Sequence, residues 1–322
     1  MTYEEKLLEL ASRNENLVIL TAENRAAIRN IPEQLGPRFL DVGIAEQTMI
    51  GAAAGLALRG RIPIVHALAT FLTMRAFEFI RTDVGIPALP VKLIGAVPGF
   101  LSEANGPTHQ ALEDIALMRG IPFMRVFCPA DRQELVDALD EIVEAPFPCY
   151  VRYNGLEAAS DHPTPFGWGC AEVLTDGFDV TILTYGFLLR EAIVAGEILE
   201  KKGISVRLIN VRTLAPVDTR TILRAARETS LVVTFEDHFL TGGLFTIVSE
   251  VLLRNGVSCS CLPVALDHRW FKPSLLDRVL EYEGFTGKKL ADQIETRLGI
   301  KTGTTQRSLR PRFDLSVFSS LR

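Results

Sequence analysis

The sequence predicts an α/β protein made of two consecutive doubly wound domains, and three observations predict it. Short apolar runs such as Leu17-Val18-Ile19-Leu20 and Val180-Thr181-Ile182-Leu183 have the composition of central parallel strands, buried on both faces. They alternate with stretches of helical period, the pattern of a parallel sheet covered by helices on both sides. The alternation breaks once, over 154–169, where Asn154-Gly155, His162-Pro163, Pro165 and Gly167 leave little periodicity. These features divide the chain into a first domain at 1–155, a linker at 156–175, a second domain at 176–300 and an extended basic tail at 301–322. A length of 322 residues suits two domains of about 100–200 residues each.

In order along the first domain, 3–13 reads as an amphipathic helix with Leu7, Leu8, Leu10 and Ala11 on its apolar side. Strand 17–20 is followed by Thr21-Ala22-Glu23-Asn24-Arg25, at the carboxyl end where open sheets place ligand contacts. A helix over about 45–59 ends at Gly60, and Ile62-Pro63-Ile64-Val65-His66 is a second buried strand. Helix 73–84, strand 91–95, a Gly- and Pro-rich loop at 96–109, helix 110–119, strand 124–127, helix 131–144 and strand 148–152 complete the unit. In the second domain, strands are expected at 180–183, 206–209 and 231–235. Helices are expected at 187–202, at 218–229 with Asp218 as N-cap, at 243–254, at about 274–281 and at 287–298.

Bulk properties exclude several classes. A net charge of −5 and a pI near 5.7 argue against a nucleic-acid binder. No run of roughly 18 apolar residues is present, so no membrane span is expected. The polar start, Met1-Thr2-Tyr3-Glu4-Glu5-Lys6, is unlike a signal peptide. Five cysteines without a CxxC pair fit neither a disulfide framework nor a zinc site, as expected of a soluble, reduced, cytoplasmic protein.

Three stretches can carry chemistry. Asp41-Val42-Gly43-Ile44-Ala45-Glu46-Gln47 leads into a helix of small apolar residues in which Glu46 is the one charge between Asp41 and Arg59. A carboxylate buried there needs a partner, and exclusion of water raises its proton affinity; the alternative is an acid favoured by the helix dipole. Ala and Gly at 51–55 and 57 allow close packing against that helix. Asn105-Gly106-Pro107-Thr108-His109-Gln110 holds a tight turn and then presents His109 at a helix start, as an acid/base or an oxyanion contact, or as a mere cap. Phe71, Met74 and Phe77 recur every three residues, so they share one helical face, as core or as the wall of a flat heterocycle. GxGxxG, GxxxxGK[ST], HExxH and GxSxG are all absent.

Together these stretches resemble the transketolase family of thiamine-diphosphate enzymes. The resemblance rests on DVGIAEQ at 41–47, GLAL at 55–58, TFL at 70–72, GPTHQ at 106–110, PAD at 129–131 and EDHFLTGGL at 236–244. It implies a pyrimidine-binding domain over 1–155 and a transketolase C-terminal domain over 176–300. Glu46 is then the acid that hydrogen-bonds the cofactor's aminopyrimidine, with Ile44, Phe71, Met74 and Phe77 around that ring. His109, Asn105, Arg152 and Arg25 are the implied substrate contacts. No metal ligand is expected in this chain. The family's diphosphate-binding domain and its Gly-Asp-Gly…Asn motif have no counterpart, so the chain resembles the C-terminal half of a split transketolase. An N-terminal diphosphate-binding subunit would hold Mg2+ (or Ca2+), in an expected α2β2 assembly acting on small sugars.

The substrate end departs from the family pattern. Asn105 stands where transketolases carry an Asp, Val97 where they carry a His, and Ala22-Glu23-Asn24 lacks their Ser. These changes leave the usual pentose-phosphate pair open. They also leave room for acyl transfer like that of 1-deoxyxylulose-5-phosphate synthase, for a 2-oxo acid dehydrogenase β-like subunit, or for a regulatory subunit.

Overall fold

The computed structural model describes residues 1–299; the basic tail expected over 301–322 lies outside the described residues. In the first half, α1 (Tyr3–Arg13), β1 (Leu17–Thr21), α2 (Ile31–Leu35), β2 (Phe39–Asp41), α3 (Glu46–Leu58) and β3 (Ile62–Leu68) follow in turn. Then come α4 (Phe77–Phe79), β4 (Lys92–Ala96), α5 (Asp114–Arg119), β5 (Arg125–Phe127), α6 (Arg132–Glu144) and β6 (Cys149–Arg152). The second half holds β7 (Glu172–Thr175), β8 (Val180–Thr184), α7 (Leu189–Lys201), β9 (Val206–Asn210), β10 (Thr213–Ala215) and α8 (Thr219–Glu228). It ends with β11 (Leu231–Phe239), α9 (Leu244–Arg254), β12 (Cys261–Leu266), α10 (Leu276–Glu283) and α11 (Gly287–Leu298).

Two sheets result, in the orders β10-β5-β6-β4-β3-β1-β2 and β12-β11-β8-β9-β7. All pairings are parallel except β10 on β5 and β7 on β9. In the first sheet Thr21 lies level with Asp41 and His66, and Gly95 with Arg152. The carboxyl ends of the strands therefore form one edge, and the loops after them converge on it, as in other open α/β sheets.

Several expectations are corrected. Residues 172–175, read as linker, form an edge strand of the second sheet. Residues 213–215 of the second half add a strand to the first sheet, so the two domains are knitted together by backbone hydrogen bonds. Short strands at 39–41 and 261–266 carry too little pattern to be read from sequence. Helix 110–119 starts only at Asp114, because Pro107–His109 closes as a separate 3-10 turn. The helix expected over 73–84 is wound mostly as two π-helical segments, Phe71–Arg75 and Ile80–Gly85, around α4. Such π turns, with i→i+5 bonding, are frequent at functional sites.

Amphipathic burial drives the packing. Helix α3 sets Met49, Ile50, Ala53, Ala54 and Ala57 in the core, while a Cβ added at Gly51 or Gly55 would meet nothing within 4 Å. The small-residue face thus stands open in this chain. Core side chains of the first sheet, such as Leu93 and Tyr150, belong to the same cluster as Tyr185, Leu244 and Val248 of the second half. Gly99 is required where the halves meet. Its φ is +55°, and a Cβ there would lie 1.8 Å from Asp237 Oδ2.

Candidate active site

Glu46 sits in the first turn of α3, just beyond the carboxyl ends of β1 and β2, and is 2 % exposed. Asp41 shapes the approach: its Oδ1 accepts hydrogen bonds from the N–H of Gly43 (3.0 Å) and of Glu23 (3.2 Å). Burial raises the Asp41 carboxyl, but the Arg25 ion pair and these two N–H groups outweigh it and hold it below the usual range.

The partner that the buried acid needs is Arg75, a residue the sequence reading missed. Its Nη1 donates to Oε1 and Oε2 of Glu46 at 3.1 and 3.0 Å. The same guanidinium lies 4.1 Å over the Phe71 ring centroid, and the Phe71 ring meets that of His109 edge-on at 5.1 Å. Glu46, Arg75, Phe71 and His109 therefore form one unbroken run of contacts from the α3 terminus to the loop after β4. The available signal was charge: Arg75 is the one cation in the stretch Thr70–Phe77.

His109 is half-buried at the end of its 3-10 turn, with Nδ1 2.9 Å from Thr108 Oγ1. Asn105 is exposed beside it, and Gly106 turns the chain with φ +85°. Met74 and Phe77 are half-buried, while Ile44 is 71 % exposed. The π winding removes the premise that a three-residue spacing gives Phe71, Met74 and Phe77 one α-helical face. Of the three, Phe71 is the ring brought against His109. Arg25 lies at the β1 end, half exposed and ion-paired with Asp41.

Among the described residues, three of the six non-glycine residues with positive φ lie in the loops after β1 and β4. Glu23, Val97 and Glu103 have φ of 63°, 47° and 47°. Positive φ in non-glycine residues costs of order 1–3 kcal/mol each and collects at functional sites, and in a β-branched Val it is a clear outlier.

Arg152, expected as a substrate contact, is buried in the seam between the halves. It is 4 % exposed, its Nε donates to Asp114 Oδ2 at 2.9 Å, Nη1 pairs with Asp237 and Nη2 reaches the Asp237 carbonyl at 3.1 Å. Tyr150 Oη also donates to Asp114, at 2.7 Å. The EDHF stretch thus enters the seam between halves. Glu236 there accepts from Leu244 N and Phe245 N, yet burial pushes its carboxyl up to about 7, and burial pulls His238 down to about 4.

A second seam cluster was also missed. His162 places Nδ1 2.7 Å from Glu172 and Nε2 2.8 Å from Asp131. Burial opposes its charge, but the two carboxylates override this and push it up to about 10. Glu134, His162 and Glu172 are close enough together to hold a metal ion. His162 with Asp131 and Glu172 ties the linker to both domains as an ion-pair staple.

Comparison with known proteins agrees with this architecture. Residues 1–158 match the transketolase pyrimidine-binding domain family, and 169–290 match the transketolase C-terminal domain family. A transketolase C-terminal section assigned in Methanocaldococcus jannaschii is 35% identical over 91% of this chain and 93% of its own length. The 6-deoxy-6-sulfo-D-fructose transketolase subunit SqwH of Clostridium sp. (strain MSTE9) is 38% identical over 79% of this chain and 80% of its own. The chain spans about half the length of the 1-deoxy-D-xylulose-5-phosphate synthases it matches, 47% for that of Dictyoglomus thermophilum, at 33% identity over 89% of the chain. A solved split-gene transketolase, an inactive beta4 tetramer, superposes with a TM-score of 0.83 at 33% identity, covering 93% of this chain and 97% of that one. Among the described residues no helix is long and apolar enough to cross a membrane.

Proposed function

The chain belongs to the transketolase family, and on that premise we propose that it is the C-terminal subunit of a split, thiamine-diphosphate-dependent transketolase. It would act with a separate diphosphate-binding subunit to move a two-carbon ketol unit from a ketose to an aldehyde. The observation that carries this reading is the buried Glu46 carboxylate at the head of α3, in one run of contacts with an aromatic ring and His109.

These residues fit one end of the cofactor. A carboxylate 2 % exposed, already bonded to a planar N–H donor beside Phe71, suits an aminopyrimidine ring. The diphosphate and Mg2+ (or Ca2+) would fall to the partner subunit, in keeping with the two domains matched here, the pyrimidine-binding and the C-terminal. When bound, thiamine diphosphate supplies the carbon nucleophile that accepts the two-carbon unit. Glu46 would exchange a proton with the ring nitrogen. His109, held through Thr108, would donate to the substrate oxygen. Asn105 would meet a sugar hydroxyl, and Arg25 would favour an anionic substrate end.

Two sugar-specific relatives support a specialised ketose. One is the sulfofructose transketolase subunit. The other is an apulose-4-phosphate transketolase subunit of Phocaeicola vulgatus, 35% identical over 80% of this chain and 84% of its own length. The test is reconstitution. The chain alone should give no ketol transfer, and co-purification with a diphosphate-binding transketolase subunit should give donor-dependent transfer. Full activity from the chain alone would end the split-enzyme reading.

A further inference from the structure

The Arg75 side chain has three properties of the ring expected at this site in its protonated form. It is planar, it donates N–H to both oxygens of Glu46 at 3.1 and 3.0 Å, and it stacks 4.1 Å over Phe71. Among the described residues it is the one hydrogen-bond partner of that carboxylate. Its side chain is 39% exposed, so it reaches Glu46 from the open side and has solvent to withdraw into.

We propose that Arg75 is a built-in placeholder, its guanidinium occupying the aminopyrimidine position between Glu46 and Phe71 until the cofactor displaces it. The proposal rests on the assignment of Glu46 to the pyrimidine site. Guanidinium and the ring-protonated aminopyrimidine are matched in the groups they offer, a flat face for the aromatic ring and an N–H donor for the carboxylate. A buried acid at a helix N-terminus without a partner is costly, and Arg75 removes that cost in the cofactor-free chain. The same contact makes cofactor binding a competition, because a site already filled by its own chain lowers the apparent affinity of an incoming ligand. The π-helical segment Phe71–Arg75 carries both Arg75 and the ring it stacks on, so release of one loosens the packing of the other.

The test is thermal unfolding of the full chain with 4-amino-5-hydroxymethyl-2-methylpyrimidine as probe, in the parent, Arg75→Ala, Arg75→Lys and Arg75→Ala/Glu46→Gln forms. Ligand binding to the folded state raises the unfolding midpoint with concentration and reports the affinity directly. Arg75→Ala should bind the probe at least about fivefold more tightly than the parent, and guanidinium ion should compete with the probe in that variant alone. Arg75→Lys, which keeps the charge but loses the plane, should fall between, and it serves if Arg75→Ala does not fold. Glu46→Gln should abolish the gain. Equal or weaker binding by both Arg75 variants overturns the placeholder; if the parent still responds through Glu46, the pyrimidine-site assignment survives. If no form shows a Glu46-dependent response, that assignment falls as well.

Discussion

The Glu46–Arg75 pair and the Arg152–Asp114–Asp237 cluster are built from the same chemistry in opposite surroundings. In the first, the carboxylate is buried but its cation is 39% exposed, and one guanidinium nitrogen serves both oxygens. In the second, the cation is 4% exposed between acids exposed by 0% and 2%. A cation at the rim can leave, so its acid remains available for chemistry. A cation locked between two buried acids cannot leave without stranding them, so it fixes the relative placement of the halves. Exposure of the cation, rather than the presence of an ion pair, separates the acid proposed for catalysis from the buried ones.

Substitutions at each place sharpen the contrast. Glu46→Gln should lower ketol transfer of the reconstituted enzyme by about 10²–10⁴-fold, the range for loss of a proton-transferring group. Its unfolding free energy should stay within about 1 kcal/mol of the parent, as for a pair whose cation faces water. Equal losses of stability and activity would erase the distinction. Arg152→Met should cost about 3–5 kcal/mol in urea unfolding, because Asp114 and Asp237 are left buried without compensation. A loss below about 1 kcal/mol would show that the seam tolerates unpaired charge.

The His162 staple adds a pH dependence. Its folded-state value, about 10, lies above the ordinary value of about 6.5. A raised value means that the folded state binds the proton more tightly, so the stabilisation is complete below about 6.5 and fades as pH rises toward 10. Denaturant unfolding of the parent should weaken over that window, and His162→Gln should flatten the profile; an unchanged slope in the variant assigns the dependence elsewhere. The smallest effect is expected at Arg25, exposed and paired with Asp41. Arg25→Ala should change stability by less than about 1 kcal/mol. It should raise KM for an anionic ketose without lowering kcat, and a fall in kcat alone would remove Arg25 from the substrate end.

Local pattern made much of this legible. Leu17–Thr21, Val180–Thr184 and α3 are where their apolar runs place them, because a strand buried on both faces and a helix of small residues each leave a compositional mark. Short edge strands left no such mark, and β7 and β10 pair with strands far along the chain. The helix expected over 73–84 is largely π-wound, since winding responds to packing that period-counting does not contain. Glu46 stood out as an acid among apolar neighbours, and Arg75 as the one cation in its stretch, but only the fold brought the two together across 29 positions.

By itself the sequence determined the two α/β halves, the acid heading α3 and the histidine of the loop after β4, because residue chemistry and local period are written along the chain. Tertiary structure alone decided which charges meet. Arg152 faces Asp237 across 85 positions and His162 joins Asp131 and Glu172, choices set by where two sheets come to rest against each other. Ion pairing depends on distances and water exclusion that exist only after folding, so arginine–carboxylate pairs came to rest half exposed in one place and fully buried in another.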